Sequence, residues 1–160
     1  MLFCWDWAVE KRAKAYSLVE MIIVLLFVAA FAAVAVPRIN FSAIAKKKAD
    51  TLARRITTDL RHTRTLAISN GAINTVGFGL YMLGPSPYSS YEIKNLDTSD
   101  VVSSHTITPG ISCTGGATFK FGLFGDLLTG SDTSITVSGE GKTFTITVIA
   151  ATGMVKCEES

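Results

Sequence analysis

The sequence predicts an α+β fold in which one long N-terminal helix packs against an antiparallel β-sheet head. An uninterrupted apolar run covers residues 21–36, and the segment after it has apolar residues at helical spacing. From residue 72 onward, short runs alternate apolar and polar side chains, as strands with one buried face do. The 160 residues suit one such domain plus an apolar anchor.

The apolar segment 16–36 has 21 residues. As a helix it is about 31 Å long, close to the roughly 30 Å of a bilayer core. It is longer than the apolar region of a cleaved signal peptide, and a basic cluster precedes it. An ordinary uncleaved membrane anchor fits the length but leaves Glu20 unexplained, because a lone carboxylate at the edge of a hydrocarbon segment costs on the order of a few kcal/mol unless it is paired.

Residues 37–70 are predicted to continue as an amphipathic helical stalk. Pro37 removes a backbone donor, so we expect a kink or a loosened turn there. One stripe of side chains recurs at steps of four, four, three and four, and consists of Leu52, Ile56, Leu60, Thr63 and Ala67. Asn70 and Gly71 form a helix-ending pair. The stripe is expected to pack on the head.

Residues 71–160 are predicted to form the head, with short antiparallel strands separated by Gly, Pro, Ser and Asp. The expected strands are 72–83, 91–96, 101–108, 118–124, 134–138, 143–149 and 154–157. Residues 139–142 are a predicted hairpin turn.

The N-terminal residues resemble those of type IV pilins and type II secretion pseudopilins. In that family a prepilin peptidase removes a short basic leader before the apolar segment, the new N-terminal residue is N-methylated, and the fifth mature residue is typically Glu. A cut between Ala15 and Tyr16 makes Tyr16 the first mature residue, Glu20 the fifth and Pro37 the twenty-second, where many members also have proline. The family more often has Gly before the cut and Phe after it. The resemblance implies a leader at 1–15 and a transmembrane, filament-core helix at 16–36.

Three further segments resemble H-type minor pseudopilins of the GspH/FimT kind: the helix end 60–68, the aromatic and glycine turn 119–125, and the closing strand 149–155. The resemblance implies a minor pseudopilin of a type II secretion system, single-pass in the inner membrane, with its head in the periplasm. It would assemble with other pseudopilins into a periplasmic filament, Glu20 pairing with the N-terminal amine of a neighbour. A type IV pilus subunit, with DNA binding as one variant, is the alternative.

Two cysteines, Cys113 and Cys157, lie in the part that the resemblance places in the oxidising periplasm, and Cys4 would leave with the leader. A disulfide between them would close a loop of about 45 residues and contribute roughly 4 kcal/mol. Two independent buried thiols are the other interpretation.

A DNA receptor would use the basic stalk, where residues 38–64 hold eight Lys/Arg and two Asp, for a net charge of +6. The candidate phosphate contacts are Lys46, Lys47, Lys48, Arg54, Arg55, Arg61 and Arg64. Residues 71–160 hold four Lys and eight Asp/Glu, a net charge of −4, so nucleic acid is not the expected partner.

An enzyme is not expected. His62 and His105 are the only histidines, and neither has a Cys or Ser partner by motif. The acidic residues Asp97, Asp100, Asp126 and Asp132 do not match a calcium loop and are interpreted as turn residues. No glycine-rich phosphate loop or metal spacing is found, so no cofactor is predicted.

Overall fold

The computed structural model describes residues 17–35 and 41–160, with side chains for 17–33 and 47–160. The chain divides into two compact units, Met1–Asn40 and Phe41–Ser160. The predicted cut between Ala15 and Tyr16 and the predicted kink at Pro37 lie outside the described residues.

Helix α1 covers Leu18–Ala35 and contains only Leu, Val, Ile, Met, Phe and Ala besides Glu20. Glu20 lies in the first turn, where the helix dipole favours a negative charge. The large apolar side chains of α1 are exposed in the isolated chain; Leu18, for example, is 75% exposed and Phe31 is 72% exposed. Within residues 17–35 and 41–160, no helix has the combined length and hydropathy of a membrane-crossing segment.

Helix α2 covers Phe41–Ser69, 29 residues, and its predicted stripe is buried, which confirms the amphipathic assignment. Ala49 and Ala53 are fully buried beside the stripe and give the sheets close access to the helix. Thr63 fits this buried face because its hydroxyl donates to the Asp59 carbonyl at 2.7 Å. The helix ends as predicted, with Asn70 N donating to the Leu66 carbonyl at 3.0 Å.

In the described part of the chain, eight antiparallel strands form two four-stranded sheets rather than one. They are β1 Phe78–Leu83, β2 Ser90–Asn95, β3 Val101–Thr106, β4 Ser112–Gly115, β5 Thr118–Phe121, β6 Ser134–Gly139, β7 Lys142–Ile149 and β8 Met154–Glu159. The first sheet has the order β3-β2-β1-β5 and the second β4-β6-β7-β8. Helix α2 packs on both sheets, so one core serves the whole unit.

The first strand begins at Phe78 rather than at residue 72, because the side chain of Asn74 organises the connection. Asn74 is buried, and its Oδ1 accepts from Val76 N at 2.9 Å and from Gly77 N at 2.7 Å. Its Nδ2 donates to Asn95 Oδ1 at 2.7 Å. These bonds satisfy backbone donors that a longer strand would have paired in a ladder.

The predicted disulfide is wrong, since Cys113 and Cys157 are both free thiols. Cys113 on β4 pairs with Val137 on β6, and Cys157 on β8 pairs with Ile146 on β7. Two strands therefore lie between them, which separates their α-carbons by about 14 Å, whereas a disulfide needs less than about 7 Å. Burial raises the pKa of the Cys113 thiol to about 11.

Leu60→Ala is expected to lower the free energy of unfolding by about 2–5 kcal/mol, because it empties a fully buried position between the helix and the sheets. Ile73→Ala is the matched control, since Ile73 is 81% exposed; we expect a change within about 0.5 kcal/mol. Urea denaturation followed by circular dichroism measures both. Equal stabilities would contradict the assigned core.

Candidate functional site

Glu20 is the only charged residue of α1, and it is exposed among apolar neighbours. No ion pair joins it to another described residue. A carboxylate in this setting needs a cation from elsewhere once the apolar surface around it is removed from water. Ala15 and Tyr16, the other residues of the predicted processing site, lie outside the described residues.

A polar cluster attaches α2 to the first sheet. Asp59 on α2 accepts a hydrogen bond at its Oδ2 from the Tyr91 hydroxyl at 2.6 Å. Tyr91 on β2 is the cross-strand partner of His105 on β3, and their ring centroids are 5.3 Å apart. His105 Nε2 lies 3.8 Å from the same carboxylate oxygen. The cluster therefore joins three elements through one buried phenol.

Arg55 completes this cluster. Its Nη2 lies 2.6 Å from His105 Nδ1, and because a guanidinium only donates, that nitrogen must be the acceptor. The proton of a neutral imidazole is then assigned to Nε2, toward Asp59. Burial, reinforced by the hydrogen bond and charge of Asp59, raises the pKa of Tyr91 far above its ordinary value. Tyr91 stays neutral and acts as a permanent donor.

The arginines considered for DNA contacts are engaged within the chain. Arg54 donates to Asp50 Oδ1 at 2.8 Å, and Arg55 to His105. Arg61 donates to the Val155 carbonyl at 3.1 Å, and Arg64 to the Gly125 carbonyl at 3.0 Å. Arg55, Arg61 and Arg64 anchor α2 to the head, and Arg54 pairs within the helix. Lys47 and Lys48 are exposed, and the Lys46 side chain lies outside the described set.

The three segments that resemble H-type minor pseudopilins meet at one place. The Gly125 carbonyl oxygen accepts a hydrogen bond from Arg64. The same oxygen lies so close to Gly153 that a β-carbon added there would be 1.8 Å from it. Ile68 on α2 closes over Gly125, whose own β-carbon would lie 2.7 Å from Ile68 Cδ1. Close approach of a backbone oxygen therefore requires glycine at position 153, whereas at Gly125 the side chains of Ile68 and Arg64 and a φ of 78° favour it. This junction fixes the end of α2 on the head.

A groove of about 500 Å³ runs between α2 and β8. Each charged group of its lining already has a partner: Arg54 pairs with Asp50, Glu159 pairs with the neighbouring Lys142, and Arg61 donates to the Val155 carbonyl. Cys157 faces this groove, together with Arg61. A groove whose charged groups already have partners within the chain offers little to a charged ligand.

The residues examined for catalysis or metal binding are dispersed. His62 is exposed on α2, and His105 belongs to the cluster with Tyr91. Asp132 Oδ2 accepts from Ala117 N at 2.7 Å and Thr118 N at 2.9 Å, which agrees with its interpretation as a turn residue. In the described part of the chain, no three His, Cys, Asp or Glu side chains are grouped to hold a metal ion.

The chain shares its fold with a type IV minor pilin. The crystal structure of the Pseudomonas aeruginosa type IV minor pilin FimU matches with a TM-score of 0.58 and 13% sequence identity, over 71% of this chain and 90% of that chain. A scan against protein-family models finds no match, and neither does a search of curated proteins. At this identity the likeness shows the fold, and it confirms the predicted pilin-like α+β architecture.

Tyr91→Phe is expected to remove a loss of stability above pH 10. The fold raises the Tyr91 pKa above the unfolded value of about 10, so above that pH the unfolded chain releases a proton that the folded chain keeps, and stability falls as pH rises. Below pH 9 the variant should lose about 1–3 kcal/mol, because Asp59 loses its donor. Unfolding free energies between pH 8 and 11 test this; equal slopes in both proteins would contradict it.

Gly153→Ala is expected to destabilise the chain by more than Gly141→Ala. Both glycines have positive φ, 62° and 76°, so the backbone strain of substitution is similar. Gly141 has nothing within 4 Å of an added β-carbon, whereas Gly153 would collide with the Gly125 carbonyl. We expect a difference of about 2 kcal/mol or more in unfolding free energy. Equal losses would show that the junction can relax.

Proposed function

We propose that the chain is a subunit of a pilin-like filament, and specifically a minor pseudopilin of a type II secretion system. Two observations together support this proposal. The head has the fold of a minor pilin, and the exposed apolar helix α1 carries a single charge, Glu20, in its first turn. The proposed location is the inner membrane, single-pass, with the head in the periplasm and the assembled subunit in a periplasmic filament.

In the proposed mechanism, prepilin peptidase cuts between Ala15 and Tyr16, and the new N-terminus is N-methylated. The α1 side chains exposed in the single chain leave lipid and become buried among the α1 helices of neighbouring subunits. Glu20 then pairs with the N-terminal amine of a neighbour. Because an unpaired buried charge costs several kcal/mol, only the register that brings the two charges together is stable.

A minor pilin of a type IV pilus is the second candidate, and the fold shared with FimU is compatible with both. Both candidates use the same cut, the same helix and the same Glu20. A DNA-binding role receives less support, because Arg54, Arg61 and Arg64 are engaged by groups of this chain.

Glu20→Gln is expected to lower the recovery of filament partners with this subunit by 100-fold or more, from the roughly 3–5 kcal/mol lost when one member of a buried charge pair is removed. Affinity purification from cells that express the complete set of filament subunits measures the effect. Glu140→Gln, an exposed acid in the β6–β7 turn, is the matched control and should behave as wild type. Partner recovery at the wild-type level with Glu20→Gln would overturn the role of Glu20.

Intact mass with N-terminal sequencing separates processing from assembly. Wild type and Glu20→Gln should both begin at N-methylated Tyr16, and only in cells that have the prepilin peptidase. An unprocessed chain, or one cut after Val36, would contradict the filament proposal and favour a membrane-tethered or secreted β domain.

A further inference from the structure

A second groove, about 300 Å³, lies between residues 47–55 of α2 and the end of β3. The helix contributes Lys47, Lys48, Thr51, Leu52 and Arg55, and the segment after His105 contributes Thr106 and Thr108. The helix residues fall on one face, since their spacings of three and four return to the same side. The result is one concave surface with three cations, three hydroxyl groups and an apolar floor.

No carboxylate lines this groove, unlike the larger one. The acidic residues of α2 already have partners: Asp50, which lines an adjoining pocket with Lys47, accepts from Arg54, and Asp59, one turn beyond Arg55, accepts from Tyr91. The described lining of this groove therefore holds three cations and no carboxylate, and a bound anion would relieve their repulsion.

Arg55 is held in place for such a ligand. One terminal nitrogen is fixed on His105 Nδ1 at 2.6 Å, which leaves further N–H groups of the five-donor fork for another acceptor. The exposed Lys47 and Lys48 supply mobile charges around this fixed donor. A tetrahedral oxyanion such as a phosphate suits one planar donor, two point charges and neighbouring hydroxyls.

We propose that this groove binds the phosphate of an anionic phospholipid headgroup. Lys47 follows Ala35, the last residue of the apolar helix α1, by only twelve residues. Leu52 gives the groove an apolar wall for the part of a lipid next to its phosphate. Nucleic acid fits less well, because Arg54, Arg61 and Arg64 are engaged elsewhere and, among the described side chains, do not extend the groove into a track of phosphate contacts. The lipid source rests on the membrane anchoring proposed above, but not on filament assembly.

The test is native mass spectrometry of the full chain in a nonionic detergent, titrated with phosphatidylglycerol or with phosphatidylcholine of the same acyl chains. Wild type should retain phosphatidylglycerol preferentially. The double variant Lys47→Gln/Lys48→Gln should lose about 10- to 30-fold in phosphatidylglycerol affinity, from the contribution of two lysines near an anionic headgroup. Both side chains are exposed, so the fold should be unaffected, and circular dichroism verifies this.

Lys120→Gln/Lys156→Gln is the matched control, because it removes the same charge from β5 and β8, at residues that line neither this groove nor the adjoining pocket that contains Lys47. It should stay within about twofold of wild type if the site is local.

Equal loss in both double variants, or equal retention of the two lipids, would overturn the proposal. Complete displacement of the lipid by inorganic phosphate at equal concentration would assign the groove to a free anion. Duplex DNA that displaces the lipid and depends on Lys47 and Lys48 would assign it to nucleic acid. Neither leader cleavage nor partner subunits are needed, so failure here is distinct from failure of the filament proposal.

Discussion

The burial of one face of α2 against two sheets is the interaction on which the head depends. The sheets are separate hydrogen-bonded ladders, and α2 packs on strands of both. Leu52, Ile56 and Leu60 supply the apolar area, and Ala49 and Ala53 let the strands approach closely. Non-directional burial alone would allow the helix to slide or rotate, because apolar contacts tolerate small shifts. Directional contacts on both sides prevent this: Asp59 with the first sheet, and Arg61 and Arg64 with the second sheet and its neighbouring turn.

Those directional contacts also explain the charge of α2. A basic helix beside an acidic head could indicate a nucleic-acid partner, but most of the arginines serve as long donors that reach carbonyls or side chains of the head. Arg61 and Arg64 each donate to a backbone oxygen distant in sequence. Arginine suits this role because it carries several donors on a long stem whose carbons can lie along apolar surface. The charge that remains available is concentrated at Lys47, Lys48 and the part of Arg55 not bound to His105.

Local pattern was sufficient for the features that depend on neighbouring residues. The sequence was enough to predict the α2 stripe, the helix end at Asn70 and the β6–β7 hairpin. The hairpin has a two-residue turn, Glu140 and Gly141, with φ of 48° and 76°, and glycine is typical of such turns. The division into two sheets and the short strand β4 were not predictable, since Ser112–Gly115 shows no alternation long enough to read. The error over Cys113 and Cys157 has the same origin. An even count of thiols carries no information on which strands separate them, and β6 and β7 do.

The residues with the most specific geometry were the least visible in the sequence. Asp59, Tyr91 and His105 are 32 and 14 positions apart, so no motif window contains them. Glu20 is the opposite case: it is conspicuous in the sequence because it interrupts an apolar run, yet no described residue partners it. Asp59 is satisfied by the fold of its own chain, and removing its partner should affect stability. Glu20 is left unpaired by the described residues, among exposed apolar side chains. Such a charge is stabilised by contacts with other molecules rather than by folding. Asp59 and Glu20 thus separate the physics of folding from the physics of association in this chain.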